Sequence, residues 1–404
     1  MIKKFDIVVI GGGMVGTSFA ALLQDSGLNI AVVEPNRPPK LTKKYALRVS
    51  AISAGSDRLL RNVGAWEKIA NRRVSPYQHM VVWDAGSKGS IQFDASEFHQ
   101  PYLGHIIEND LIVSALWQTL LDDKNISLLQ GESLQGFEQK ENGLTVDLAS
   151  GLKIHTQLLV GADGGNSRVR NLANIGVKRK AYDQLGIVAN IQTEKPHLTT
   201  AWQRFLETGP IAMLPLADGS CSIVWSCDTA TAEHLLQLDP QAFEQRLGDA
   251  TEMRLGEVKL RSDRKGFELQ YAQADHYIAE HLALIGDAAH SVHPLAGQGV
   301  NLGFADAAAL AHNILDSKQR RQNDWCTYTL LRAFERWRKG ENQISLTAMD
   351  TFKRVFGSRR ATVKTLRGIG LDIADSITPL KHQLMGRALG IAGDLPDVVR
   401  DYRI

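Results

Sequence analysis

Three glycine-rich stretches combine residue types and spacings that could bind the phosphates of a nucleotide. In the first, Gly11 would allow a tight turn, Gly13 a close approach of the backbone to a pyrophosphate, and Gly16 close packing of a helix on a strand. Glu34 ends the next apolar run, where a carboxylate would accept hydrogen bonds from ribose hydroxyls. The N–H groups at the helix N-terminus favour an anion. This pattern predicts a dinucleotide site.

The second stretch, Gly161-Ala162-Asp163-Gly164, places an aspartate between two glycines and follows the apolar run Leu158–Val160. Ligands of open α/β sheets bind beyond the carboxyl ends of the strands, which is where this aspartate would lie. The alternative is an ordinary connection between a strand and a helix. We favour the ligand-binding role for Asp163.

The third stretch begins with an apolar run that delivers Asp287 and continues through Gly297 and Gly299 into a helix rich in small residues. Successive backbone N–H groups at such a helix N-terminus would stabilise negative charge on a ligand. His290 and His293 are spaced closely enough to suggest a metal site, but no carboxylate or cysteine completes a ligand set. We therefore predict no metal.

The elements around these stretches predict an α/β fold, in which a Rossmann-like domain is interleaved with a β-rich domain. Apolar runs and helical patterns assign residues 1–73, 105–181 and 276–338 to the nucleotide-binding domain. Short strands with turn residues assign 74–104 and 182–275 to the β-rich domain, the second of these segments as mostly strand. Residues 339–404 form a helical C-terminal region.

The composition excludes several functional classes. The 404 residues include 46 lysines and arginines against 44 aspartates and glutamates, which argues against nucleic acid as a partner. The three cysteines form no C-x-x-C pair, and no run of about 18 apolar residues could span a membrane. These features predict a cytoplasmic protein. Arg48 is either a surface charge or a donor to a phosphate or a flavin edge.

The three stretches, in this order and over nearly the whole chain, resemble the FAD-dependent aromatic-ring hydroxylases, which are flavoprotein monooxygenases. Within that family, residues 47–52, 103–109 and 293–303 resemble the ubiquinone-biosynthesis hydroxylases, particularly the 2-polyprenylphenol hydroxylases. Asn109 stands where many aromatic hydroxylases carry an arginine, and the ubiquinone branch commonly has Glu-Asn at this place. The departure therefore favours the ubiquinone branch and leaves the pyrophosphate contacts on that side open.

The resemblance implies a role for each matching residue. The three glycines of the first stretch would cradle the FAD pyrophosphate, Glu34 would hold the adenosine ribose, and Asp163 would assist both FAD and NAD(P)H binding. Other matching residues would lie along the flavin, from the ribityl chain to the ring and to the wall beside the substrate. These are Arg48, Asp287, Pro294, Gly297, Gly299 and Asn301. No side chain is singled out as a catalytic base.

The resemblance also implies a reaction in which reduced FAD and O₂ form a flavin C4a-hydroperoxide that hydroxylates a polyprenylphenol intermediate of ubiquinone biosynthesis. The reductant is NAD(P)H or another electron donor. The alternatives are a hydroxylase of a small soluble phenol or benzoate, and a flavin-binding scaffold subunit of a biosynthetic complex. Residues 351–404 contain ten lysines and arginines against five acids. This region either packs on the protein or in a dimer interface, or contacts the inner membrane peripherally. The oligomeric state stays open.

Overall fold

The computed structural model describes residues 2–87, 89–291, 299–321 and 325–356, and in the C-terminal region 382, 385, 386, 389, 390, 393, 394 and 396–400. The strands are β1 (Ile2–Ile10), β2 (Ile30–Glu34), β3 (Val49–Ser53), β4 (Ser75–Tyr77), β5 (His79–Asp84), β6 (Ser90–Asp94), β7 (Gly104–Glu108), β8 (Ile126–Gln130), β9 (Leu134–Lys140), β10 (Gly143–Leu148), β11 (Lys153–Gly161), β12 (Val177–Thr193), β13 (Thr200–Leu206), β14 (Gly209–Pro215), β15 (Cys221–Asp228), β16 (Val258–Leu260), β17 (Lys265–Ala274), β18 (Ile278–Ala279), β19 (Leu282–Leu284) and β20 (His290–Ser291).

The helices follow the same chain order. They are α1 (Met14–Leu22), α2 (Ala54–Asn62), α3 (Trp66–Ala70), α4 (Asn109–Leu120), α5 (Arg168–Leu172), α6 (Thr229–Gln237), α7 (Pro240–Ala250), α8 (Gly299–Arg321), α9 (Tyr328–Phe356) and α10 (Asp397–Arg400). Short 3₁₀ turns cover Ala95–Phe98 and Gly286–Ala288. Within the described ranges, no helix is both long and apolar enough to cross a membrane.

Sheet 1 runs in the order β18-β19-β11-β1-β2-β8, and β9 and β10 extend it from β11 as an antiparallel hairpin. The neighbours from β19 to β8 are parallel. The inner half of β1 is an unbroken apolar run, and Val8 and Val9 have no exposed surface. Such a run is typical of a parallel strand covered on both faces, and buried residues of α1, α4 and α8 belong to the same apolar core.

Sheet 2 runs in the order β20-β17-β12-β15-β14-β13-β5-β6, with β16 beside β12. Its pairs are antiparallel except for β5 with β13. One face packs on α6 and α7 through residues such as Trp225 and Phe243. The opposite face contributes to an apolar group that we call the inter-sheet cluster, which includes Ala51, Ile106, Val188, Ala212, Leu214 and Val224.

Sheet 3 is small and consists of β3, β7 and β4 in that order. Its strands supply Ala51 and Ile106 to the inter-sheet cluster, so it packs against sheet 2. The chain then passes from β7 directly into α4 at Asn109. Sheet 3 therefore connects the helical surroundings of sheet 1 with the apolar face of sheet 2.

The observed architecture confirms the predicted α/β class, with a parallel sheet flanked by helices beside a mostly antiparallel sheet. The expectation that residues 182–275 are mostly strand missed α6 and α7. Both helices begin at a capping aspartate: Asp228 accepts from Thr231 N at 2.9 Å, and Asp239 from Ala242 N at 3.0 Å. Pro240 occupies the first turn of α7, where its lack of an N–H costs nothing. These capping signals were present in the sequence.

Candidate cofactor site

The carboxyl ends of four parallel strands of sheet 1 lie in one row. Ile10 at the end of β1 pairs with Val33 of β2 on one side and with Gly161 of β11 on the other. Gly161 in turn pairs with Leu284 of β19. The segments that leave these four strands therefore emerge side by side, and they include the first two glycine-rich stretches and the beginning of the third at Gly286 and Asp287.

Two glycines of the first stretch are required by close backbone packing. Gly11 has φ +111°, and its N–H donates to Val33 O at 2.9 Å. A Cβ on Gly11 would lie 2.3 Å from Ala162 O, and a Cβ on Gly16 would lie 2.0 Å from Gly11 O. Any side chain at either position would displace backbone atoms, so these residues shape the turn between β1 and α1 and its contact with β11.

Gly13 differs, because a Cβ on it would meet no protein atom within 4 Å. Its backbone is the N-cap of α1, where no side chain accepts a hydrogen bond from the first turn and no acidic residue occupies that turn. The N–H groups of a first helical turn need an acceptor, and the positive end of the helix dipole favours an anionic one. The open N-terminus of α1 therefore fits a pyrophosphate.

Glu34 lies at the end of β2 with both carboxylate oxygens oriented by the protein. Oε2 accepts from Gly12 N at 2.8 Å, and Oε1 accepts from Asn36 N at 3.0 Å and Nδ2 at 3.1 Å. The indole of Trp117 holds the same turn by donating to Gly12 O at 2.8 Å. A carboxylate oxygen can accept more than one hydrogen bond, so Glu34 keeps the capacity to accept from a ribose hydroxyl.

Asp163 has one oxygen engaged and one buried oxygen without a partner among the described residues. Its Oδ2 accepts from the backbone N–H groups of Arg168 at 2.7 Å and Val169 at 3.1 Å, at the start of α5. Its Oδ1 receives no hydrogen bond there. A buried acceptor of this kind commonly binds a ligand or an ordered water. Asp163 is thus part of the helix start and keeps one oxygen available to accept a further hydrogen bond.

A buried arginine joins the second stretch to the third. Arg170 donates through Nη1 to Ala288 O and through Nη2 to Gly165 O, both at 2.8 Å. Its side chain is almost fully buried, and this burial lowers the pKa of the guanidinium, which nevertheless stays charged at neutral pH. The loop after β11 and the turn after β19 are therefore held in a fixed relation.

Asp287 and Arg48 come together at this edge, although they are far apart in the chain. The Asp287 side chain is exposed, yet desolvation by the surrounding protein raises its pKa, against the positive charges of His290 and Arg48. Arg48 is exposed as well. Of the two roles open to Arg48, this position favours contact with a phosphate or flavin over a remote surface charge.

The first turn of α8 is attached to sheet 3 by Asn301. Its Nδ2 donates to Ala51 O at 2.9 Å, and its Oδ1 accepts from Ser53 N at 3.1 Å. The side-chain amide is thereby committed to β3. Gly299 and Asn301 both lie in this turn, whereas Pro294 and Gly297 lie outside the described residues, as does His293. Asn109 accepts from Ser50 Oγ at 2.7 Å at the start of α4.

The sequence predictions missed a buried charged group next to this site. Asp306 of α8 has no exposed surface, and it accepts from Gly286 N at 3.1 Å and His290 Nε2 at 2.5 Å. Its other oxygen accepts from Arg338 Nε at 2.8 Å and Asn342 Nδ2 at 3.0 Å. Burial alone would raise the pKa of Asp306, but His290 and Arg338 lower it to about 2. Its position inside a helix of small residues gave no signal in the sequence.

These features fit FAD as a bound group. The open N-terminus at Gly13 suits a pyrophosphate, Glu34 can accept from a ribose, and the unpartnered oxygen of Asp163 can accept from a ligand donor. Asp287 and Arg48, which interact electrostatically, offer a further acceptor and a cation. The residues at the ends of the sheet 1 strands thus have the chemistry that a flavin dinucleotide requires.

The sequence also matches known proteins. Residues 4–330 match the family model described as FAD binding domain. The chain is 38% identical to the ubiquinone biosynthesis monooxygenase COQ6 of Danio rerio, over 96% of this chain and 90% of that protein. It is 34% identical to the 3-demethoxyubiquinol 3-hydroxylase of Escherichia coli K12, over 96% of this chain and 98% of that protein.

Solved structures show the same fold. PqsL, a probable FAD-dependent monooxygenase from Pseudomonas aeruginosa, superposes with a TM-score of 0.77 at 23% identity and covers 92% of this chain and 100% of its own. The p-nitrophenol 4-monooxygenase PnpA from Pseudomonas putida superposes with a TM-score of 0.76 at 14% identity, with full coverage of both chains. The family match and the relatives above 30% identity settle the classification: the chain belongs to the FAD-dependent monooxygenases of the FAD-binding domain family.

Proposed function

We propose that this enzyme hydroxylates the aromatic ring of a polyprenylphenol intermediate of ubiquinone biosynthesis. The observation that carries the proposal is the similarity, over nearly the full length, to proteins named for hydroxylation steps in that pathway. They include COQ6 at 38% identity, the 3-demethoxyubiquinol 3-hydroxylase at 34% and the ubiquinone hydroxylase UbiL of Rhodospirillum rubrum at 32%.

FAD is bound at the carboxyl ends of the sheet 1 strands in this proposal. The N-terminus of α1 and Gly13 hold the pyrophosphate, Glu34 the adenosine ribose, and Asp287 the region near the ribityl chain. The first turn of α8 faces the flavin ring. The full set of proposed contacts is Gly11, Gly13, Gly16, Glu34, Arg48, Asp163, Asp287, Pro294, Gly297, Gly299 and Asn301.

When bound and reduced, FAD would supply the reaction with O₂ that converts a ring C–H to C–OH and releases the second oxygen atom as water. The protein's part is to orient the ring and to exclude water. The N–H groups at the N-terminus of α8 stabilise negative charge on the flavin, because they form the positive end of the helix dipole. Arg48 adds a positive charge close to Asp287. Asn301 fixes this turn on β3 through its two side-chain hydrogen bonds.

The inter-sheet cluster is the proposed location of the substrate. Ala51 belongs to this cluster, and its carbonyl accepts from Asn301, so the apolar surface reaches the turn that faces the flavin ring. Apolar side chains from sheet 2 extend the cluster away from that turn, which suits a prenyl chain. In this proposal the segments of sheet 1 bind FAD and the segments of sheet 2 bind the substrate.

Two further parts of the proposal concern the reductant and the surroundings of the enzyme. The sequence has no second dinucleotide fingerprint, so NAD(P)H binds transiently or another electron donor reduces the flavin. The basic C-terminal region, 351–404, contacts a membrane surface or a ubiquinone-biosynthesis complex, where a polyprenylphenol is available. Lipid-vesicle flotation with and without residues 357–404 tests this contact.

The direct test uses purified holoenzyme, a chemical reductant and two phenols, one with a prenyl chain and one a soluble benzoate. The proposal predicts O₂-dependent addition of one oxygen atom to the prenylated phenol, with the position read by mass spectrometry and NMR. Hydroxylation of the benzoate alone would assign the enzyme to soluble phenols. Tight FAD binding and reduction without hydroxylation of either compound would instead indicate a scaffold subunit.

A further inference from the structure

We propose that Asp306 and His290 are positioning residues that hold the Asp287 turn in the geometry needed to bind FAD. The inference rests on the proposed placement of Asp287 beside the cofactor. Asp306 does not reach the exposed edge of sheet 1 itself, because it has no exposed surface. It accepts hydrogen bonds from Gly286, directly before Asp287 in the chain, and from His290, three residues after it.

The hydrogen bonds of Asp306 divide into two pairs. On one side, Oδ2 accepts from Gly286 N and His290 Nε2, which belong to the turn after β19 and to β20. On the other side, Oδ1 accepts from Arg338 and Asn342 of α9. The carboxylate thus joins the Asp287 turn, α8 and α9 at one buried point.

The position of Asp306 in α8 gives this junction its relevance to FAD. Asp306 lies about two turns after Gly299, at 3.6 residues per turn, so it belongs to the helix whose first turn is proposed to face the flavin ring. Asp287 and that first turn would contact different parts of the same cofactor. A bond between α8 and the residues flanking Asp287 therefore fixes the distance between two FAD contacts.

His290 is the less obvious member of the pair, since its spacing with His293 had suggested a metal ligand. Its side chain is buried, and its ring stacks on Tyr277 with centroids 5.8 Å apart. Tyr277 is fixed in turn, because its N–H donates to Glu335 Oε1 at 2.9 Å. With Nε2 engaged by Asp306 and one ring face covered, His290 has the surroundings of a structural link between β20 and α8.

The decisive variant is Asp306→Asn. An asparagine has one acceptor oxygen, whereas Asp306 serves four donors. The buried guanidinium of Arg338 should take that oxygen, because an unpaired buried charge is the costlier loss. The amide N–H groups then face Gly286 N–H and His290, so the substitution breaks the link to the Asp287 turn and preserves the link to α9.

Asp57→Asn is the matched control. Asp57 is also a buried aspartate on a helix and also pairs with an arginine, Arg61, at 3.1 Å, but this arginine lies in α2 itself, and Asp57 accepts a further hydrogen bond from Tyr102. We expect Asp306→Asn to raise the Kd of FAD about 30-fold, within the usual range of coupling between sites. Asp57→Asn should change the Kd by less than about threefold, because sites without shared partners act independently.

Three measurements on the purified proteins complete the test: FAD titration of the apo-protein, melting of the apo-protein, and visible circular dichroism at saturating FAD. Positioning is supported if both variants lose the same amount of melting temperature but only Asp306→Asn has a raised Kd for FAD. An altered flavin dichroism in Asp306→Asn supports it as well. Equal Kd changes in both variants, or an unchanged Kd in Asp306→Asn, would overturn it.

His290 variants and Asp287→Asn keep the outcomes separable. His290→Gln retains an N–H donor near Asp306 and should bind FAD within about threefold of the native chain, whereas His290→Leu should lose about tenfold. If Asp306→Asn does not fold, this pair carries the test, and equal affinities of the two variants contradict the inference. If Asp287→Asn leaves FAD binding unchanged, the proposed site is wrong; if only Asp287→Asn weakens binding, the positioning role alone is wrong.

Discussion

Sheet 1 has its polar side chains beyond the carboxyl ends of its strands, whereas sheet 2 has apolar side chains across one face. At the sheet 1 edge, glycines allow three chain segments to approach each other closely, and carboxylates are held by backbone N–H groups. On sheet 2, alternation along antiparallel strands places Val188 and Leu214 in the inter-sheet cluster. The difference shows how parallel strands concentrate chemistry at their carboxyl ends, while antiparallel strands provide an extended surface.

The largest expected effect separates glycines that close backbone packing requires from glycines with open space around them. Gly16→Val should prevent folding, because its Cβ would lie 2.0 Å from Gly11 O in backbone that cannot move without breaking the turn. The soluble yield and the circular dichroism of the purified chain measure this. Gly219→Ala in the β14–β15 hairpin of sheet 2 is the control. Its φ of +82° with open space around it should cost only about 1 to 2 kcal/mol. A folded, yellow Gly16→Val protein would contradict the packing argument.

Gly13→Val should abolish tight FAD binding without destabilising the apo-protein. The added Cβ meets no protein atom within 4 Å, but the valine side chain would occupy the space that the pyrophosphate needs. We expect a loss of about a hundredfold or more in FAD affinity, as for removal of a close phosphate contact. Fluorescence titration gives the Kd. Gly136→Val, in an equally open position of β9, should leave it unchanged; equal effects of the two substitutions would refute the placement.

Phe267→Ala should affect the substrate and leave FAD unaffected. Phe267 of β17 packs on the inter-sheet cluster, and its removal takes away apolar contact area where the prenyl chain is proposed to bind. We expect KM for a long-chain prenylphenol to rise about tenfold, as for a lost apolar contact of about 1.4 kcal/mol. Steady-state kinetics with long-chain and short-chain substrates measures this. Phe137→Ala in the sheet 1 hairpin should not change the ratio of KM for the long-chain substrate to KM for the short-chain substrate. A change of FAD affinity in Phe267→Ala would contradict the assignment of substrate binding to sheet 2 and FAD binding to sheet 1.

The last prediction concerns sheet 3, which joins the two regions. Burial, with a smaller contribution from Arg61, lowers the pKa of His105 to about 3, and its ring lies between Trp66 and Tyr102. The unfolded chain therefore binds a proton below pH 6.5 that the folded chain does not, so this group makes stability fall as pH drops from 6.5 towards 3. His105→Phe should reduce that slope by up to about 1.4 kcal/mol per pH unit. Urea unfolding at pH 7 and pH 5 measures it, and parallel losses in both proteins would contradict it.

Local patterns predicted sheet 1 well because its strands are short apolar runs followed by glycines and acids. The positions of Gly11, Glu34 and Asp163 at strand ends follow from such patterns. Which residues contact each other across the chain does not. The proximity of Arg48 to Asp287 depends on how β3 and β19 are brought together, and no periodicity encodes that.

Asp306 shows the same limit for buried polar groups. A lone aspartate in a helix of small residues resembles a solvent-facing position, and its partners Arg338 and Asn342 belong to another helix. Helices α6 and α7 are a different case. Their N-cap residues Asp228 and Asp239, and Pro240 in the first turn of α7, indicate helix starts, but the surrounding strand patterns led to a prediction of mostly strand. The partners of a buried polar residue are determined by tertiary packing, which local propensity in a single sequence does not reveal.

The most direct test of the central claim is a mass-spectrometric quinone profile of an aerobically grown source strain that lacks this gene. The account predicts loss of ubiquinone and accumulation of a polyprenylphenol, whose substitution identifies the ring position hydroxylated. Restoring the native gene should recover ubiquinone, whereas the Gly13→Val variant should not. An unchanged quinone profile in the deletion strain would contradict the proposed role in ubiquinone biosynthesis, while leaving the FAD-dependent monooxygenase family assignment intact.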